Sequence, residues 1–450
     1  MFDRWRLAGL TAAAVTTATF AKAFVPFYLI GSTAIFAVTS ASGIALLAID
    51  WRRLRDNASH VADILVLLGL FYGVVIISYV ASSYPAVPVT HLLGILIFHA
   101  LFISFGFAAA RAMKVVLWML LGAAAVYSIV IAQYTLRFGD LMRDGYLHDV
   151  FGVGISAIFI TFHQNIGSIL GLAALAALGL SSNRMTRILA IGVLPLVLLF
   201  MFHIAARTAL VALVCSLVFL PAAALWVRSR KLAVLSVTVI VVAAIFASAI
   251  FYRRALQDKA VDALAPDAIS RTIRELQDPR PLFRMQIWDR AWHRILSEPN
   301  RILIGRGVGM FPVDEGYGPP DWLLRQTEGA KHYPHNIYLE ILYETGITGL
   351  LLFGILTLYP LLISLRRWHL LSPTDKSSVS MYLFNLVSVE LSGALAFSYD
   401  FQFFFALMIG MIALQRADNV AAPGLTQASD AVDPTHPRPG SLRNAGPSSV

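Results

Sequence analysis

The chain has 450 residues, is 58% hydrophobic and only 14% charged, and its mean hydropathy is +0.71. A soluble domain is nearer half apolar and a quarter charged, so this composition excludes an ordinary soluble protein and points to repeated membrane crossing. The single cysteine, Cys215, lies in an apolar run and excludes an intrachain disulfide; the net charge of +9 is explained by where the charges fall.

Each crossing needs about 20 largely apolar residues, because the hydrocarbon core is roughly 30 Å thick. Runs of this kind lie near 7–21, 25–49, 61–80, 89–109, 113–133, 150–179, 188–203, 207–227, 232–251, 336–363, 379–397 and 401–415, about twelve in all. The expected fold class is therefore all-α integral membrane, with one large helical periplasmic loop. Transmembrane helices 1–9 occupy 1–251, the loop 252–335, transmembrane helices 10–12 residues 336–415, and a disordered cytoplasmic tail 416–450. Residues 4–23 also resemble a signal peptide, with Arg4 and Arg6, an apolar stretch and Ala-Lys-Ala at 21–23. The span count stays even only if this segment is kept, so it is read as the first span. From Asp418 the sequence is rich in Pro, Ser, Ala and Asn and has no hydrophobic periodicity.

The charges orient these spans. With a cytoplasmic N-terminus, the inside connections are "DWRRLRDN" (50–57), the turn with Arg111 and Lys114, "SSNRMTR" (181–187), "RSRK" (228–231) and "RRWHLLSPTDK" (366–376), and every one is basic. The short outside connections "SSYPAVPV", "FHIAAR" and "SYDFQ" hold one basic residue, Arg207. This is the positive-inside pattern, so the basic balance reports topology and gives no basic face for nucleic acid. Both termini are then cytoplasmic, and the polar chemistry gathers on the outside face.

Four places on that face carry candidate residues. "TFHQNIGS" (161–168), with His163 and Asn165, sits inside the sixth expected span; it reads as a broken or re-entrant segment lining a cavity, or as interhelical hydrogen bonding. Arg207 opens the eighth span and is either a snorkelling anchor or an anion ligand, its planar fork matching phosphate oxygens. The loop carries thirteen basic and eleven acidic residues, eleven of the basic ones arginine. Within it Arg284, Trp288, Ala291 and Ile295 recur at helical spacing, which puts Arg284 and Trp288 on one face of a helix closed by Pro299. Arg290, Arg294 and Arg301 read as its solvated face. Gly305, Gly307 and Gly309 read as a flexible turn, with spacing wrong for a nucleotide fingerprint.

The fourth place is "KHYPHNIYLEILYETGITGL" (331–350), directly before an apolar run. Pro334 disfavours helix at Tyr333, so His335 or Asn336 should be the N-cap. The partial positive charge of a helix N-terminus disfavours protonated imidazole and attracts anions. His335 is thus expected to be neutral near pH 7, either a plain cap or a base beside a phosphorylated donor. His332 reads as a loop residue. D-x-D, H-E-x-x-H, C-x-x-C and the P-loop pattern are all missing, so arginines would have to stabilise a leaving phosphate without metal or other cofactor.

"HNIYLEILYETGITG" resembles the signature of the O-antigen ligase and polymerase superfamily, with His335, Asn336, Gly346 and Gly349 at its spacing and Glu340 and Glu344 at its acidic positions. "ARTA" (206–209), "FRMQIWDRAW" (283–292) and "FHQN" (162–165) resemble its other motifs; the family would show a hydroxyl residue where Ala206 stands. The resemblance implies transfer of a glycan from undecaprenyl pyrophosphate to an acceptor hydroxyl, with His335 as general base and Arg207 and Arg284 holding the pyrophosphate. Asn336, Glu344, Trp288, His163 and Asn165 would support them. The loop's late position favours an O-antigen ligase with a lipid A–core acceptor, acting as a monomer in the bacterial inner membrane; a polymerase or a protein O-oligosaccharyltransferase is the alternative. A lipid-linked glycan transporter stays open through Glu390, an acidic residue in the eleventh span.

Overall fold

The computed structural model describes residues 7–9, 11, 13, 32–138, 155–181, 184–203, 206–232, 283–321 and 332–421. The spans expected at 7–21 and 232–251, loop residues 252–282 and 322–331, and the tail beyond 421 fall wholly or mostly outside them.

The described residues are helical, without strands. In chain order the helices are α1 (Ser32–Ile49), α2 (Trp51–Ser59), α3 (Ala62–Ser78), α4 (Val89–Ala109), α5 (Met113–Phe138), α6 (Ile155–Leu180), α7 (Arg184–His203), α8 (Arg207–Arg228), α9 (Phe283–Ser297), α10 (Met310–Asp314), α11 (Ile337–Arg366), α12 (Pro373–Ser392) and α13 (Tyr399–Ala421). A single π-helical turn, Tyr79–Ser83, extends α3. Among the described residues, five segments are long and apolar enough to cross a membrane: Ala62–Ser83, Val89–Ile129, Thr208–Trp226, Ile337–Arg366 and Tyr399–Asp418. The chain is thus a helical membrane protein. The last helix runs past the expected end at 415, and Arg416 lies within it.

Small residues let the helices approach closely where lipid gives them no hydrophobic reason to associate. A Cβ on Gly106 of α4 would stand 2.0 Å from the Phe403 carbonyl oxygen of α13, and one on Gly410 of α13 would stand 2.7 Å from that of Phe107. Ser377 of α12 donates to the Leu175 carbonyl of α6 at 2.7 Å. Two apolar clusters fill the bundle, one around Phe102, Phe384 and Phe403 and one around Phe71, Phe353 and Phe405.

Charge collects at both ends of the bundle. At one end Asp63 accepts from Arg416 at 2.7 Å and from Tyr359 at 2.8 Å, tying α3, α11 and α13 together. Asp50 pairs with Arg111. At the other end, Ser78 of α3 donates to the Glu344 carbonyl of α11 at 2.5 Å, beside the loop helices α9 and α10. Residues 60–63, 359–366 and 416, which the charge pattern assigns to one side, therefore meet at one end. Residues 78–88, 336–344 and 394–398 meet at the other.

Candidate functional site

The site is built around the turn that leads into α11. Asn336 is its N-cap: the backbone is extended and the side-chain oxygen accepts from the Leu339 amide at 2.9 Å. His335 is thereby released from capping. Its φ is +57°, a left-handed conformation that histidine adopts at a cost on the order of 1 kcal/mol. Its ring packs at 4.3 Å from the ring of Tyr333, which in turn lies 6.2 Å from Phe397. His332 is stacked flat on Tyr317 at 3.4 Å.

The loop helix α9 is fastened to this turn. Ile287, Ala291 and Ile295 are buried against Phe311 and Tyr343, and the Trp288 Nε1–H donates to the Pro334 carbonyl at 2.7 Å. Arg284 lies on the same helix one turn before Trp288. α9 ends at Ser297 and Pro299 opens a short 3-10 turn, as the sequence predicts. The side chains of Arg284, Arg207 and His163 are outside what the structure describes.

Other loop arginines are already engaged. Arg290 and Arg294 reach Glu315 at 2.8 and 3.4 Å, and Arg301 reaches Glu298 at 3.1 Å. Arg306 pairs with Glu298 and donates to Asp314 at 2.8 Å. Burial alone would lower its pKa, but the bonds to Asp314 and Glu298 hold the guanidinium above its ordinary value. These four hold the loop together through carboxylates.

Arg207 begins α8. Farther along that helix Phe219 meets Trp368, which follows the far end of α11, so the N-terminus of α8 points to the end that carries His335. Gly167 of α6 lies against Ala206, since a Cβ there would come within 2.2 Å of the Ala206 Cβ. Half-buried Asn165 therefore stands at the same level as the Arg207 backbone. The break expected at 161–168 is absent: α6 passes through it as continuous helix.

The break lies elsewhere. α11 is two helices joined at Gly346, whose φ of +69° and ψ of −170° are open to glycine alone without strain. The interruption frees backbone groups inside the span, and the loop satisfies them. Arg306 and Gly307 amides donate to the Tyr343 and Glu344 carbonyls at 2.9 and 3.0 Å; Ile347 and Thr348 amides donate to the Ile302 and Leu303 carbonyls at 2.8 and 3.3 Å. The glycines at 305, 307 and 309 are accordingly a close-packed turn and not the expected flexible one. A Cβ on Gly305 would meet the Glu344 carbonyl at 2.3 Å, and one on Gly307 the Ser83 hydroxyl at 2.4 Å. The Glu344 side chain is buried and accepts from the Gly309 and Phe311 amides where α10 begins.

Glu340, one turn earlier, is buried too and accepts from the Leu395 amide at 2.9 Å. That bond anchors the turn between α12 and α13, whose Phe397 backs Tyr333. Glu390 is exposed near the end of α12, beside Tyr338, and so lies at the His335 end of the bundle.

No curated protein matches the chain. Residues 193–354, a stretch that holds Arg207, Arg284, Trp288, His335, Glu340, Glu344 and both signature glycines, match the family model described as O-Antigen ligase. The match spans 162 of the 450 residues and supports the resemblance of the chain to the O-antigen ligase superfamily.

Proposed function

We propose that the chain is an O-antigen ligase, transferring a glycan from undecaprenyl pyrophosphate to a hydroxyl of a lipid A–core acceptor at the periplasmic face of the bacterial inner membrane. His335 takes the proton of the acceptor hydroxyl while that oxygen attacks the anomeric carbon. The bond from that carbon to the pyrophosphate breaks in the same step. Undecaprenyl pyrophosphate leaves with the electron pair, and Arg207 and Arg284 hold its charge as bidentate forks. A single in-line displacement inverts the anomeric configuration and needs neither a covalent glycosyl-enzyme nor a divalent ion. Asn336, not His335, caps α11; Trp288 ties the loop helix to the turn before it, and Glu344 ties α11 to the start of α10.

The Trp288–Pro334 hydrogen bond carries this reading, because it joins the helix that carries Arg284 to the turn that holds His335. A base held outside the cap, next to a helix N-terminus suited to anions, is what deprotonating a hydroxyl beside a pyrophosphate requires. The test is transfer by purified protein from undecaprenyl-pyrophosphate glycan to separately purified lipid A–core. A glycosylated lipid A–core product supports the ligase. Lengthened donor formed without lipid A–core would make it a polymerase, and no turnover of the donor would remove the enzyme reading.

A further inference from the structure

Loop segment 302–304, Ile-Leu-Ile, is a run of consecutive exposed apolar side chains, with Leu303 61% exposed. In a loop bathed by water such a run has no purpose. It does not stand at the mouth of the bundle. Its carbonyls pair with the amides of Ile347 and Thr348, and Ile347 lies eleven residues beyond the Asn336 cap, about 16 Å along a helix at ~1.5 Å per residue. Leu296 at the end of α9, 57% exposed, adds a further apolar side chain from the preceding helix. Below the segment, Leu351 of α11 is 60% exposed, the first of a stripe continued by Ile355, Leu358 and Leu362 along a helix apolar and long enough to cross the membrane.

We infer that residues 302–304 are a re-entrant apolar tip of the loop, immersed in the acyl chains of the outer leaflet beside α11. Non-helical backbone survives at membrane depth only where protein satisfies its polar groups. That condition is met here through the break at Gly346: Ile302 and Leu303 carbonyls and Arg306 and Gly307 amides are all paired to α11, and the Gly305 amide returns to the Arg301 carbonyl at 2.7 Å. The chain rises out of lipid on either side through charged residues, Glu298 and Arg301 before the tip and Arg306 after it, which pair with one another or with Asp314. The occupant of this surface is membrane lipid, and its apolar face is continuous with the exposed stripe of α11.

The inference rests on the chain spanning a membrane and not on the reaction, so it is tested without turnover. In a Cys215→Ala background, single cysteines at Leu303, Leu351 and Asp289 carry an environment-sensitive fluorophore in phospholipid vesicles. Quenching by acyl-chain spin labels is compared with quenching by aqueous iodide. Leu303→Cys should behave as Leu351→Cys does, with blue-shifted emission, strong quenching from lipid and little from iodide; Asp289→Cys should show the reverse. Ile304→Cys repeats the measurement if Leu303→Cys does not yield folded protein. Iodide quenching at 303 or 304 equal to that at Asp289→Cys would put the tip in water and overturn the inference. A label at either position shielded from both quenchers would overturn it as well, because the tip would then be covered by protein.

Discussion

The Trp288 indole donates to the Pro334 carbonyl at 2.7 Å across 46 residues of sequence. It joins the loop helix to the turn of His335. Trp288→Phe keeps a ring in place but leaves a half-buried carbonyl without its donor, a loss of about 1–3 kcal/mol. The looser turn should reduce turnover by about tenfold or more, at ~1.4 kcal/mol per decade, while the protein still folds and binds donor. Parallel turnover, donor-binding and thermal-unfolding measurements on purified protein check this; wild-type turnover would show that the bond does not position His335.

Gly346 is where the fold is most sensitive to one methyl group. A Cβ there would stand 2.5 Å from the Leu303 carbonyl and 2.6 Å from the Gly305 nitrogen, on a backbone with φ of +69°. Gly346→Ala should therefore cost several kcal/mol, about 2–4, and lower both the yield and the unfolding temperature. Gly354, on the same helix with nothing within 4 Å of an added methyl group, should accept Ala with no loss or a gain of about 1 kcal/mol. Equal tolerance at both sites would contradict the broken-helix account.

Glu340 separates charge from geometry. Glu340→Gln keeps an oxygen for the Leu395 amide, whereas Glu340→Ala leaves that buried donor unpaired at about 1–3 kcal/mol. Turnover should fall more in the Ala variant than in the Gln variant, with donor affinity unchanged in both, as the 393–398 turn loosens behind Tyr333. A Gln variant as impaired as the Ala variant would mean that the carboxylate charge itself acts.

The arginine roles are tested by shape. Lys at position 207 or 284 keeps the charge and loses the fork, so Arg207→Lys and Arg284→Lys should each raise the donor KM and lower turnover substantially. Activity should also survive excess EDTA. Near-normal turnover in both Lys variants, or activity lost to EDTA and restored by Mg²⁺, would refute pyrophosphate stabilisation by arginine alone.

The all-helical class, the five described segments long enough to cross a membrane, the relative ends of those helices and the α9 face were legible in the sequence because hydropathy, basic turns and helical spacing are local signals. So was the N-cap at Asn336, one of two adjacent candidates. The break at Gly346 was not: apolar residues run on through 337–366, and the partners that make the break possible lie some forty residues earlier in the chain. The same distance hid the tight packing of Gly305 and Gly307, which read locally as flexibility. At 161–168 the error ran the other way, since polar residues within an apolar helix do not interrupt its backbone bonds. Arg290, Arg294 and Arg301 were legible as a charged face, but their carboxylate partners became visible only in three dimensions.

The central claim is that His335 is the general base, and His335→Ala tests it most directly. A positioned base contributes about 10²–10⁴-fold in rate, so glycan transfer should fall by about that factor while donor binding persists. His332→Ala, which removes a ring stacked on Tyr317, should be far milder. The account predicts that loss together with an inverted anomeric centre in the wild-type product. A His335→Ala protein with wild-type transfer, or a product that retains the donor's configuration, would contradict it.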